Sequence, residues 1–247
     1  MIFVMAHFMR RDVNLHFTRG IYRLRWPIVA GIVSIGAAPA LVNAAACFIN
    51  VIINNSLARY GGDLAIGAAG IFSTYTSLIV MVLVGISQGM QAIVGYNYGA
   101  GRLDRLKRTY WLAVGVSTVI CLFGSLFGLF FPGLIAKAFT SDRYLIDVTS
   151  NCLSCALLAF VAVGFQVVST TFFQSIGCVG KSIFLSLSRQ VIFLIPLLLI
   201  LPGVAGLDGV WFSFPGSDLL ATVVTAVMIV YEFRHLDKAS AGPQRPR

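Results

Sequence analysis

The sequence predicts an all-α, polytopic membrane protein built as a bundle of six transmembrane helices. Three observations carry that class. Hydrophobic residues make up 58% of the 247 positions and charged residues only 11%, with a mean hydropathy of +0.88, whereas a soluble domain carries roughly 25% charged residues. Six apolar runs each supply the stretch of about 20 residues that a spanning helix needs. The basic residues fall between those runs rather than gathering on one face, so the net charge of +9 reads as membrane topology and not as a nucleic-acid surface. This composition excludes a soluble globular enzyme and a disordered chain. Five cysteines, an odd and ordinary number at this length, exclude a disulfide scaffold.

Residues 1–27 form a cytoplasmic N-terminal segment. Its apolar start, residues 1–6, is too short to span, and Arg10 and Arg11 follow it instead of preceding it as in a secretory signal. It reads as the tail of a preceding helix or as a short interfacial segment. Span one covers 28–53 and stops at Asn54-Asn55, and span two, 64–95, lies between Gly61-Gly62 and Gly99-Ala100-Gly101. Span three, 110–131, ends at Pro132-Gly133; span four, 145–173, is followed by Gly177 and Gly180. Span five, 182–201, stops at Pro202-Gly203, and span six, 209–231, leads into a cytoplasmic tail, 232–247. The runs are continuously apolar, without the alternation of barrel strands, so they are helices. The second and fourth are long enough to tilt or protrude, and the short gaps make neighbours antiparallel. The spans form one lobe, 28–231.

Orientation follows from the basic residues. Fifteen of the 18 lie on one side: five in the N-terminal segment, four after span two (Arg102 to Arg108), Lys181 and Arg189 around span five, and four in the tail. Arg59, Lys137 and Arg143 lie on the other. Both termini are therefore expected in the cytoplasm. Trp26, Trp111, Trp211 and Tyr231 fall near span ends, where amphipathic rings favour the interface.

Most soluble-enzyme and metal motifs fail. His7, His16 and His235 lie in the cytoplasmic ends, so no histidine is expected inside the membrane, and no metal or organic cofactor is expected. Cys152-x-x-Cys155 has redox spacing without the strand–helix context that gives it meaning, and reads as helix packing. Gly85-x-x-x-Gly89, Gly95-x-x-x-Gly99 and Gly124-x-x-x-Gly128 permit close helix crossing, more within one bundle than as a dimer face. Asn54-Asn55-Ser56 is a formal glycosylation sequon.

Buried polar residues are more informative. Asn43 and Asn50 share a face of span one and Asn54 continues it; span two carries Gln88 and Gln91, and span four carries Gln166 and Gln174. Amides are costly against lipid, so they belong in the bundle interior or a wet cavity. Interhelical hydrogen bonding weighs evenly against a substrate path for Asn43, Asn50 and Gln88. Pro39, Pro196 and Pro215 each remove a backbone donor within a span, freeing the carbonyls of Ile35, Ile192 and Trp211. Kinked helices recur where transporters bend around a central site, and also without function. Asp218 is the one acidic residue deep in an apolar run, about 12 Å along span six from Val210 at 1.5 Å per residue. An intramembrane carboxyl is a functional candidate, here for proton coupling; the competing reading is a hydrogen-bonded packing residue, paired with Asn43 or Gln166.

The segment Gly85-Ile-Ser-Gln88-Gly89-Met-Gln91-Ala-Ile-Val-Gly95-Tyr96-Asn97-Tyr98-Gly99-Ala100 resembles the passage from the second helix of a lobe into its cytoplasmic loop in the multidrug and toxic compound extrusion (MATE) family. Phe173-Gln174-Ser-Ile-Gly177 and Ser188-Arg189-Gln190 followed by Pro196 are similar to that family's fifth-helix approach. Gly206-x-x-Gly209-Val210-Trp211, then Pro215-x-x-Asp218, is similar to the entry to its last helix. The resemblance covers nearly the whole chain, residues 28–231. It implies the second, C-terminal, six-helix lobe of a twelve-helix plasma-membrane transporter that exports organic cations and drugs in exchange for protons or sodium. Beyond substrate and lipid, the implied partner is another six-helix lobe, or a second copy through self-association. Ala92 stands where the family often has proline. The first and fourth spans lack the interior acids of sodium-using relatives, and Asp147 lies only at an outer end.

Three other functions compete. A lipid-linked saccharide flippase of the same superfamily would favour a cationic cavity, and the interior spans are nearly free of Lys and Arg. An intramembrane enzyme would need a catalytic pair, and only one interior carboxylate is visible. A nonfunctional or regulatory fragment would retain the fold without transport.

Overall fold

The computed structural model describes residues 26–241. The predicted apolar start, His7, His16 and the end of the tail lie outside the described residues, as does the side chain of Pro39. The chain divides into two compact units, Met1–Leu41 and Val42–Arg247. The first is represented by helical backbone from residue 26 onward; the cavities and contacts below belong to the second.

All regular structure among the described residues is helical. In order there are α1 (Trp26–Gly99), α2 (Leu103–Phe130), α3 (Pro132–Phe139), α4 (Arg143–Ala156), α5 (Val161–Ser175), α6 (Val179–Leu187), a π-helical segment Ser188–Leu194, and α7 (Ile195–Ala241). Both long helices are broken. Gly62 (φ 64°, ψ −160°) interrupts α1 and Gly206 (φ 58°, ψ −132°) interrupts α7, two positions whose positive φ an L side chain rarely adopts. Among the described residues, Asn43–Gly99, Leu103–Phe130 and Val179–Leu236 are long and apolar enough to cross a membrane, and α4 with α5 make a fourth such unit bent by 60°.

The ends follow local chemistry. Beyond α1, Arg102 N–H donates to Asn97 O (2.9 Å) and Gly101 N–H to Tyr98 O (3.1 Å), a Schellman closure. Beyond α5 the same pattern recurs, Cys178 N–H to Phe173 O (2.9 Å) and Gly177 N–H to Gln174 O (3.1 Å). Pro132 opens α3, where its missing N–H costs nothing. Asp142 caps α4, its carboxylate accepting from Tyr144 N–H at 3.0 Å.

Three boundaries differ from the sequence reading. The stop of span one expected at Asn54-Asn55 falls instead at Gly62, since α1 stays helical through both asparagines. Span four is not one straight helix, because residues 157–160 bend it. Leu157, in that bend, lies directly over Gly128 of α2, which has no side chain to hold it off. The stop expected at Pro202-Gly203 falls instead at Gly206, and Pro202 is helical. There the chain doubles back so tightly that a Cβ on Gly209 would collide with the carbonyl of Leu201.

Packing is close where α2 crosses α5. A Cβ on Gly164 would lie 2.8 Å from Ser117 O, and Ser117, Cys121 and Val163 are buried alongside. Gly124-x-x-x-Gly128 also packs within the bundle, Tyr75 O–H donating to Gly124 O at 2.7 Å; Gly85 and Gly89 face open space. Cys152 is a free thiol buried in the core. Large apolar side chains such as Phe48, Met81, Phe123 and Val227 point outward, the pattern of a bundle whose solvent is hydrocarbon.

Candidate substrate cavity

Three of the cavities among the described residues of the second unit are lined by polar side chains. The first, about 240 Å³, lies among α1, the α4–α5 bend, the π-helical segment and α7, with Asn50, Phe72, Thr76, Phe160, Arg189 and Asp218 on its wall. The second, about 330 Å³, shares Asn50, Ile53, Phe72, Thr76 and Phe214 with it and extends to Asn54 and Ser73. The third, about 200 Å³, is lined by Gln166, Thr170, Thr171, Arg189, Gln190 and Thr225. Arg189 and Gln190 line both the first and the third.

The chemical centre is an ion pair. Arg189 Nε donates to Asp218 Oδ1 at 2.7 Å. Asp218 is 4% exposed, whereas the Arg189 side chain is 33% exposed. Arg189, counted in the sequence only as a marker of sidedness, neutralises this buried carboxylate. The carboxylate's partner is thus Arg189 and not Gln166. Gln166 contributes instead through the backbone, its Nε2 donating to Asp218 O (2.7 Å) and to Thr222 Oγ1 (2.7 Å), while Thr222 Oγ1 donates to the same carbonyl at 2.6 Å. The amide oxygens Oε1 of Gln166 and Gln190 are buried without a hydrogen-bond partner.

Local sequence explains how Arg189 comes to face Asp218. Pro196 has no N–H for the carbonyl of Ile192, and the helix just before it is wound as π, a form frequent at functional sites. Pro215 stands three residues before Asp218 in α7 and likewise leaves the Trp211 carbonyl without its helical donor. Phe72 and Phe214 stack at 5.4 Å across the cavities, tilted by 53°.

Of the residues singled out from sequence, Asn50, Gln166, Arg189 and Asp218 meet around these cavities. Asn43 and Gln88 are exposed on α1, outside the three cavities, and Gln91 is half-buried. Gly95 and Gly99 belong to the end of α1 leading into the Arg102 turn. Sequence reasoning names Gln190 only within the Ser188-Arg189-Gln190 motif, without a role, and missed the Phe72–Phe214 pair, whose type is ordinary in apolar helices. It also missed a second ion pair, Lys181 with the buried Glu232; a span limit at Tyr231 assigns Glu232 to the tail. Among the described residues, no cluster of three or more His, Cys, Asp or Glu side chains is placed to hold a metal.

Apolar membrane-length helices around a cavity walled by an ion pair define a multi-pass helical membrane protein. Comparison with known proteins makes the class specific. The family model described as MatE matches residues 39–200, and the chain belongs to the MatE family, a family of membrane transporters and not of enzymes. It is 23% identical over 236 residues to the multidrug export protein MepA of Staphylococcus aureus, covering 94% of this chain and 51% of that protein. The Staphylococcus saprophyticus protein of the same name is 21% identical, covering 96% and 52%. Among solved structures, the MATE multidrug transporter DinF-BH, in a ligand complex, is 33% identical with a TM-score of 0.78, over 95% of this chain and 52% of that one. A MOP superfamily transporter from Pyrococcus furiosus gives a TM-score of 0.83 at 20% identity, over 96% and 54%, a likeness of fold. The chain spans about half the length of the curated relatives it matches.

Proposed function

We propose that this chain is the second, C-terminal, lobe of a plasma-membrane MATE exporter that moves organic cations and other drugs outward in exchange for protons or sodium, with both termini in the cytoplasm. The observation that carries the reading is the Arg189–Asp218 pair on the wall of the first cavity, in a chain of this family. The first two cavities share five lining residues, and together they reach the roughly 300–1,000 Å³ of small-molecule sites. Apolar aromatic walls with a few convergent polar groups suit a large organic cation.

In this reading Asn50 and Gln166 belong to the substrate path, and Asn43 and Gln88 meet the facing lobe, on the same polypeptide or another. The exposed stripe Ser73, Ser77 and Gln88 on α1 is the surface such a lobe covers, since amides left against lipid are costly. Asp218 is the proton-exchanging group: protonated, it no longer attracts Arg189, and deprotonated, it recaptures it. Asp218→Asn in the reconstituted two-lobe transporter should abolish pH-driven drug export while expression and folding stay near normal. Unchanged pH dependence in that folded variant would reduce Asp218 to a packing residue.

A further inference from the structure

We propose that Arg189 is a movable counter-ion: an organic cation entering the first cavity takes its place on Asp218, and the displaced guanidinium swings into the third cavity. This rests on the reading of the first cavity as a cation site and adds how the cation gains its carboxylate.

Four observations lead there. Arg189 and Asp218 are the only charged residues lining any of the three cavities. A cation desolvated in this interior therefore has one carboxylate to use, and that carboxylate is already taken. A buried charge without polar partners is strongly unfavourable, so the entering cation competes with Arg189 for this carboxylate, and Arg189, one-third exposed, is the cation that can leave it for neutral acceptors.

The two partners also differ in freedom. Asp218 is held, its backbone carbonyl receiving hydrogen bonds from Gln166 and Thr222 and its side chain 5% exposed. Arg189 is one-third exposed and reaches the carboxylate through Nε alone. Arginine–carboxylate pairs are frequently two-pronged and correspondingly strong, whereas a single-point contact is released in one movement.

The third cavity supplies a destination. Arg189 already lines it, so the guanidinium travels only across a boundary. The cavity has no acidic group, but it is bordered by Gln166 and Gln190, whose amide oxygens have no partner in the paired state. Gln166 Nε2 is committed to two acceptors on α7, which makes its free atom the oxygen. A guanidinium carries five N–H donors and no acceptor, so it complements two vacant carbonyl oxygens and the Thr170 and Thr171 hydroxyls. The same two amide oxygens thus lack partners when Arg189 is on Asp218 and gain one when it leaves. Finally, Arg189 and Gln190 are both carried by the π-helical segment, so the displaced group and one of its new acceptors share a stretch that departs from α-helical winding.

The test is equilibrium binding of a cationic rhodamine dye to the purified full chain with its natural partner lobe. Arg189→Gln leaves the carboxylate unmasked, so the dye should bind about tenfold more tightly, the equivalent of one charged hydrogen bond no longer displaced. Gln190→Leu keeps the pair but removes an acceptor from the destination, and should weaken binding about tenfold by the same measure. Unchanged or weaker binding in a folded Arg189→Gln protein would overturn the exchange. Should that variant not fold, Gln190→Leu decides alone, and unchanged binding there overturns the proposal. Absence of saturable binding in the wild type overturns the cation-site reading itself. That outcome is distinguishable from a failed exchange, which leaves wild-type binding intact.

Discussion

The two ends of α7 belong to two different kinds of interior. Toward its C-terminus, Phe233 joins Tyr110 and Phe172 in a closed aromatic cluster with ring centroids 4.9–5.5 Å apart. Nearby polar groups there are matched: Tyr110 O–H with Ser169 Oγ at 2.8 Å, Gln174 with Ser182 at 3.0 Å, and Lys181 with Glu232. Asp218, on the same helix, lines one cavity, makes a one-point ion pair with Arg189, which also lines a second, and lies near two amide oxygens without partners. A buried polar group left unmatched costs about 1–3 kcal/mol. Under the proposed function, stability and function are segregated along the bundle: the aromatic end holds the helices together, and the cavity end keeps acceptors in reserve for a group that moves.

If this division holds, damage at the aromatic end should lower stability without altering ligand recognition. The largest effect is expected for Phe172→Ala. Phe172 is fully buried between Tyr110 and Phe233, and its truncation should cost about 3 kcal/mol, the low end for phenylalanine because lipid rather than water surrounds the separated helices. Unfolding of the purified protein in detergent measures this, and dye affinity of the folded fraction should be unchanged. A smaller effect is expected for Tyr110→Phe, which removes the hydrogen bond to Ser169 while keeping the ring. It should cost about 1 kcal/mol in the same unfolding experiment. A change in dye affinity with either variant would break the separation of the two ends.

Much of the bundle is legible in the sequence because hydropathy and helix punctuation are local. The turns at Gly101, Gly177 and Gly62 fall where glycine clusters interrupt apolar runs. The bend at 157–160 is not legible, since Leu-Leu-Ala-Phe contains no breaker and the bend accompanies packing against Gly128. Pro202 misplaces the span-five stop because a proline within a helix and a proline ending one look alike without the downstream turn. Asp218 stands out as a lone acid in an apolar helix. Its partner does not: charge counting treats every cation as a marker of sidedness, and a contact between positions 29 apart in sequence leaves no periodic trace. Gln190 is visible in the sequence only as part of a motif, and its orphaned oxygen exists only in three dimensions.

The most direct test of the cavity end as the functional end is the binding isotherm of the same rhodamine dye for Asp218→Asn beside the wild type, at one pH and in the same detergent. Removing the one carboxylate on the walls of these three cavities takes away the cation's charged partner there and leaves Arg189 as an uncompensated positive charge. Affinity should fall by about tenfold or more, an interaction of about 1.5–3 kcal/mol for a hydrogen bond to a charged group, while the unfolding transition stays cooperative. An isotherm superimposable on the wild type in a folded Asp218→Asn protein would contradict this, and would place cation recognition somewhere other than the Arg189–Asp218 cavity.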